Sequence, residues 1–413
     1  MTNQNPRDAV ALAIKAGRCL EENDYTGAER FVDQALAIDP DCCLALNNRG
    51  RLLLRTDREL QGLDAYRRAI ALHPADPNAG FNLASAHYSG GRFDEAWAAL
   101  VQLFAKARFA SHAELEVRTR AYTLCHQTQE AFAARNHEAA RQAVDALRRS
   151  VEALTDCPIL VRPEELPHGR QAKIAWEAGT REHVIRLSPS YPRLLQPHLL
   201  ADQLTRMQMG AQARKAGKTS IFTVPSPAPE PLFTSLLRMD RRYIRRLCAR
   251  GADPAAVALE ARDGLLRLIA HLYSCPIDLI VESRIHDRLP DLAPAQFLAM
   301  ARYLSDSPDP ADGLNHQHIT PPNLIRIGAA LNSLLARLHG SLFAGTSPFP
   351  LLYLGTEVEP LASQLWTRWE AAAPSLGPGD ERRLIDAFAD LVGLRKTYEW
   401  TFVVPGEQEP PNP

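Results

Sequence analysis

Pro40 and Pro74 stand 34 residues apart, and the residues around them recur at the same interval. Ala16, Gly50 and Ala84 form one register, and Ala28, Gly62 and Ala96 a second. Val32, Tyr66 and Leu100 form a third, and Ala35, Ala69 and Leu103 a fourth. A period of this length marks a supersecondary unit that cannot cover its apolar face alone and must stack on copies of itself. Small residues at the first two registers let the two helices of a unit approach closely. The third register fills the space between neighbours, and a proline closes the unit. Turn signals fall between the helices at Glu22-Asn23-Asp24, Thr56-Asp57 and Ser89-Gly90-Gly91. After the third unit Arg108 replaces the closing proline. Apolar periodicity continues to about Leu154, which predicts a divergent helical pair capping the stack.

This pattern resembles the tetratricopeptide repeat, and the resemblance covers about a quarter of the chain. It implies a helical solenoid over residues 7–155 with a concave groove lined by the first helix of each unit. Asn48 and Asn82 fall on equivalent groove-side positions, where their amides would bracket the backbone of an extended peptide. Arg49 and Arg51 would meet an acidic group on it. Ile14 takes the same position in the first unit, so the peptide-clamp pattern is incomplete. The plain alternative is that these are solvated helix residues.

Composition narrows the function classes. A chain of 413 residues has room for two or three domains, and its formal charge of −1 offers no field for nucleic acid or an anionic membrane. Seven scattered cysteines, never in CxxC spacing, suit reduced thiols in a cytosolic protein. No apolar run approaches the ~20 residues of a membrane helix, and residues 1–16 lack the apolar core of a secretory signal, so a cytoplasmic location is expected. Phosphate-loop, dinucleotide and nucleophile-elbow motifs are missing, and no cofactor is expected. His316 and His318 form the one close histidine pair, in a Pro- and Asp-rich stretch that favours a loop over a metal site. Arg238, Arg241, Arg242, Arg245, Arg246 and Arg250 crowd one helix without aromatic interleaving, which argues against single-stranded nucleic acid.

Beyond Cys157 the texture changes to a helix-rich α+β domain, residues 156–404, followed by a tail at 405–413 expected to be disordered. β-prone runs at 172–177 and 183–187 around Gly179 predict a hairpin or two edge strands. Helices are expected at 192–216, 231–249, 254–273, 276–288, 294–304, 322–342, 361–373 and 380–392, many opened by proline. Residues 399–404 are expected to form a short strand or a tail that docks on the body.

The order of strand, Ser188-Pro189-Ser190 turn and apolar helix resembles the upper half of a zincin metallopeptidase, whose helix carries HExxH. Asp202, Gln203 and Arg206 stand where the first histidine, the glutamate and the second histidine would fall, and Glu282 offers the third-ligand type. These substitutions remove the chemistry. Arginine has no lone pair for a metal, and glutamine cannot take a proton from water as a carboxylate does. Asp202 and Arg206 lie one turn apart, so an ion pair would fill the cation's place, with Arg206 bridging to Glu282 if it faces them. An ordinary helix without zincin ancestry is the competing reading.

The expected molecule is mainly α: a tetratricopeptide-like solenoid followed by a helix-rich α+β domain. Its expected function is that of a non-enzymatic adaptor or regulatory protein, taking a peptide or helix in the solenoid groove, with no resident metal. A hydrolase with an unrecognised site and a self-associating scaffold remain as alternatives.

Overall fold

The computed structural model describes residues 5–167, 170–176, 182–225, 241–306 and 321–402. The chain is mainly α, with a small sheet, and divides into two compact units. Residues 1–132 with 343–346 form the first, and residues 133–342 with 347–413 the second.

In the first unit, α1 (Pro6–Glu21), α2 (Tyr25–Ile38), α3 (Cys43–Arg55), α4 (Glu59–Leu72), α5 (Pro77–Ser89) and α6 (Phe93–Lys106) pack as successive antiparallel pairs. Their starts are chemically marked. Asn5 caps α1 ahead of Pro6, Asp24 accepts from the Gly27 N–H at 2.9 Å, and Asp76 caps α5 ahead of Pro77. All four repeat registers are buried, from Ala16 and Ala28 through Tyr66 to Leu100 and Leu103. The small residues are sterically required in the second pair. A Cβ on Gly50 would sit 2.4 Å from the Tyr66 ring, and one on Gly62 would sit 3.0 Å from the Gly50 carbonyl oxygen.

The expected divergent pair after the third repeat is instead one helix, α7 (His112–Thr155). No residue between 112 and 155 is a glycine or proline, so nothing in the backbone chemistry stops it. The division between the two units falls inside it.

The second unit opens with a three-stranded sheet: β1 (Ile159–Pro163), β2 (Ala172–Trp176) and β3 (His183–Leu187), in the order β1-β3-β2. β2 and β3 pair antiparallel, as a hairpin requires, while β1 lies parallel to β3 with Val161 opposite Ile185. The sheet corrects the expectation of an edge strand at 183–187. β3 is central, because β1, too short and mixed in composition to announce itself, takes its other side.

Helices α8 (Gln196–Lys215), α9 (Arg241–Ala249), α10 (Pro254–Arg288), α11 (Ala293–Asp306), α12 (Pro322–Leu342), α13 (Glu359–Ala372) and α14 (Glu381–Val392) make up the rest. The two helices expected at 254–273 and 276–288 are one, with Pro276 inside it. Proline costs a helix one hydrogen bond, but burial of Leu272, Cys275, Leu279 and Ile280 on both sides of the break holds the helix together. α10 is the axis of this unit and packs against α8, α12 and α14. Among the described residues it is also the one helix long and apolar enough to cross a membrane, and more than half of that stretch is buried within the fold. A ribbon of β4 (Ser220–Thr223) and β5 (Glu399–Phe402) is held by aromatic packing. Phe222 lies 4.4 Å from the Tyr398 ring and 4.7 Å from that of Tyr273, while Asp386 accepts from Tyr398 at 2.7 Å and Trp400 at 2.8 Å.

His316 and His318, Gly179, Arg238 with residues 231–240, and the tail at 405–413 lie outside the described residues. Arg242, Arg245, Arg246 and Arg250 are exposed on and just beyond α9.

Candidate functional site

α8 presents His198, Asp202 and Arg206 at intervals of four, which places them along one face. α10 presents Asp278 and Glu282 at the same interval. The two helices run antiparallel at this point, so His198 meets Glu282 and Arg206 meets Asp278. His198 Nε2 lies 3.0 Å from Glu282 Oε2, and both side chains are buried. Arg206 donates twice to Asp202, at 2.9 Å each, and once to Asp278 at 2.5 Å. Gln203 lies beside this triad and donates to Asp202 at 2.6 Å.

The expected bridge from Arg206 to Glu282 is therefore corrected. The second carboxylate on Arg206 is Asp278, one turn before Glu282. Glu282 serves His198 and a residue that no sequence pattern singles out, Gln296 of α11. The Gln296 amide donates to Glu282 Oε2 at 2.8 Å and to the Glu282 carbonyl at 2.7 Å, and its own oxygen faces His286 Nδ1 at 3.2 Å. The one available signal was a polar side chain in the otherwise apolar run Phe297 to Ala301 and the residues before it.

Electrostatics follow from this pairing. Burial alone would disfavour the His198 imidazolium, but the Glu282 carboxylate and its hydrogen bond, aided by Asp202, outweigh it and raise the His198 pKa above 6.5. Burial raises Asp278 to about 6 despite the opposing pull of Arg206. Burial likewise works against the Arg206 cation, yet Asp202 and Asp278 together raise its pKa further above its ordinary value. Arg206 is thus a fixed positive charge, clamped and unable to act as a base.

A cavity of about 290 Å³ opens over the cluster, with Tyr191, His198, Asp202, Arg206, Asp278 and Glu282 in its lining and Arg302 and Tyr303 at its exposed rim. Among the described residues, no group of three or more His, Cys, Asp or Glu side chains is placed to hold a metal ion.

In the first unit the candidate partner-binding residues differ sharply in availability. Asn48 is buried, donates to the Ala13 carbonyl at 2.8 Å and accepts from Arg51 at 3.3 Å. It ties α3 to α1. Asn82 donates to Asn47 at 2.9 Å, tying α5 to α3 in the same way one unit later. Arg49 is exposed and makes no hydrogen bond or ion pair with the described residues. Val10 and Ile14, one turn apart on α1, are 44% and 47% exposed, an apolar pair left open to solvent.

No family model matches the chain. It is similar to the Protein STIP1 homolog of Dictyostelium discoideum, at 29% identity over 94 residues. That stretch is 23% of this chain and 17% of the other, so the chain spans about one sixth of that relative's length. A stretch of this length is compatible with the repeated helix pairs of the first unit, and those pairs are compatible with tetratricopeptide repeats.

Proposed function

We propose that this protein is a non-enzymatic adaptor that binds a protein or peptide partner through the helical array of its first unit. The observation that carries this reading is the array itself: three stacked helix pairs whose registers are all buried, with Arg49, Val10 and Ile14 left uncommitted. The likeness to the Dictyostelium protein supports a protein-interaction role in coarse terms. Asn48 and Asn82 would then hold neighbouring units in register and shape the surface instead of touching the partner, while Arg49 supplies a charge for an acidic group.

On this reading the cluster in the second unit is a polar pin between α8, α10 and α11, and its zincin-like order of elements is an ancestral trace without catalysis. A clamped arginine and a carboxylate shared between a histidine and a glutamine leave no free base to activate water. The test is a peptide array probed with purified protein, followed by titration of the retained peptides. Saturable binding that Arg49→Glu weakens at least about tenfold supports the reading, since a charge-assisted contact is worth that much. Failure to retain any peptide, or binding indifferent to both Arg49→Glu and Ile14→Asp, would sink it.

One observation favours a second reading, a hydrolase: the cavity above His198, Asp202 and Glu282 is large enough for a side chain. Turnover of a peptide that disappears in Glu282→Gln, with the fold retained, would replace the first reading by this one.

A further inference from the structure

A second cavity, of about 440 Å³, lies in the second unit between the C-terminal half of α7, the edge strand β1 and the start of α8. Its polar lining is strongly one-sided. Arg141, Arg148, Arg193 and His137 face a single carboxylate, Asp145, in a chain whose formal charge is −1 overall. Asp145 is itself taken up by Arg148, at 3.6 Å, and the exposed Arg141 pairs loosely with the exposed Glu138, also at 3.6 Å. Arg193 is exposed and makes no hydrogen bond or ion pair with the described residues. The His137 Nδ1 and Arg148 Nε atoms are shielded from solvent with no hydrogen-bond partner among the described residues. The two shielded nitrogens are costly unless an acceptor reaches them, and the exposed Arg193 guanidinium stands at the mouth of the same space with no internal partner.

Apart from Gln196, the remaining wall is apolar: Val144 of α7, Val161 of β1, Leu187 of β3, and Pro197 and Leu200 of α8. The volume falls within the roughly 300–1,000 Å³ of small-molecule sites. From these two halves we propose that the cleft binds a small amphiphilic anion, with a carboxylate or phosphate head on the arginines and a short aliphatic body on the apolar wall. Guanidinium forks match both kinds of head group.

A peptide strand is the natural competitor, because β1 is the sheet's edge. The strand's chemistry argues against it. Glu164 N–H donates to the Leu187 carbonyl, so the even-numbered residues of β1 turn their backbone groups toward β3. Of the outward residues, Ile159 has given its N–H to the Glu152 carboxylate at 2.9 Å, and Pro163 has none. Only Val161 keeps an outward donor, too little to zip a strand onto this edge.

The experiment is calorimetric titration of the full chain with decanoate and with decyl phosphate, below their micelle concentrations. Inorganic phosphate, decyltrimethylammonium and an acidic decapeptide serve as comparisons. The expected result is saturable one-to-one binding of at least one of the two anions, and their relative affinity tells carboxylate from phosphate. Arg193→Glu and, independently, Arg141→Glu should each weaken it by about tenfold or more, and Leu200→Gln should weaken the decyl ligand but not the head group alone. Both arginines are exposed, so the variants should keep the wild-type circular dichroism and melting temperature. Equal affinity for inorganic and decyl phosphate overturns the amphiphile assignment. So does binding of the decyl cation as tight as the anions, preference for the peptide, or affinity unchanged in both arginine variants.

Discussion

The paired helices of the first unit and the crossing helices of the second are made of the same secondary structure and held together by opposite means. In the array, specificity comes from what is missing. Gly50 and Gly62 lack side chains where Tyr66 and a neighbouring backbone must come close, and the same small registers return every repeat. In the second unit, specificity comes from a single match of donors to acceptors: His198 to Glu282 across 84 residues of sequence, and Arg206 to Asp278 across 72. The first device tolerates repetition because each unit needs only its neighbour. The second is not repeated: its four partners occur once and meet at one register of α8 on α10. A polar network buys register at a cost in desolvation that apolar packing avoids.

The largest effect should come from breaking the unrepeatable device. Glu282→Ala strands a buried histidine and the Gln296 amide, and should destabilise the second unit by about 3–5 kcal/mol. Urea denaturation at neutral pH measures it, and a loss below 1 kcal/mol would mean the network is ornamental. Next comes filling a gap in the array. Gly50→Ala drives a methyl into the Tyr66 ring and should cost about 1–3 kcal/mol. In a Tyr66→Ala background the same change should be neutral or favourable, because alanine is then simply a better helix former than glycine. An additive cycle would refute the steric account.

Acidity sharpens the comparison, since His198, raised by its pairing with Glu282, and Asp278, raised by burial, both lie in the second unit. His198 holds its proton more tightly folded than unfolded. Its contribution is therefore complete below about 6.5, where both states are protonated, and is lost as pH rises through the higher folded value. Asp278, raised from 3.8 to about 6, acts in the same direction over the lower window. Below 6.5 His271, whose pKa burial lowers to about 4, acts the opposite way and offsets Asp278, so the decline should show above about pH 6.5, and His198→Gln should flatten it. A slope unchanged in that variant would assign the decline elsewhere. The smallest change is expected from Asn48→Ala, about 1 kcal/mol for one hydrogen bond between α3 and α1, read from the melting of the array. If it abolishes partner binding without lowering stability, Asn48 touches the partner after all.

The same contrast explains what could be read from the residues beforehand. The helix pairs of the array are legible because prolines, small residues and caps are local signals that recur. Helix α12 is legible at 322–342 for the same reason, with Pro322 opening an apolar run. Asp202 and Arg206 are legible as a pair because four residues make one helical turn. Asp278 is not, because nothing local says which residue of α10 comes to face α8. Gln296 is silent for the same reason, and β1 because five residues ending in Arg162-Pro163 carry no alternation. Pro276 misleads outright. Its local meaning is a boundary, and tertiary burial overrides it.

The blunted edge of β1 reaches further than the cleft beside it. A sheet grows, into a swapped dimer or a fibril, by lending an open edge as a template to an incoming strand. Here one edge is disarmed by Pro163 and the Glu152 carboxylate, and α8 packs beside the β2 side. On the β1 side the sheet therefore offers almost no template to an incoming strand, and growth of the sheet through that edge is not expected.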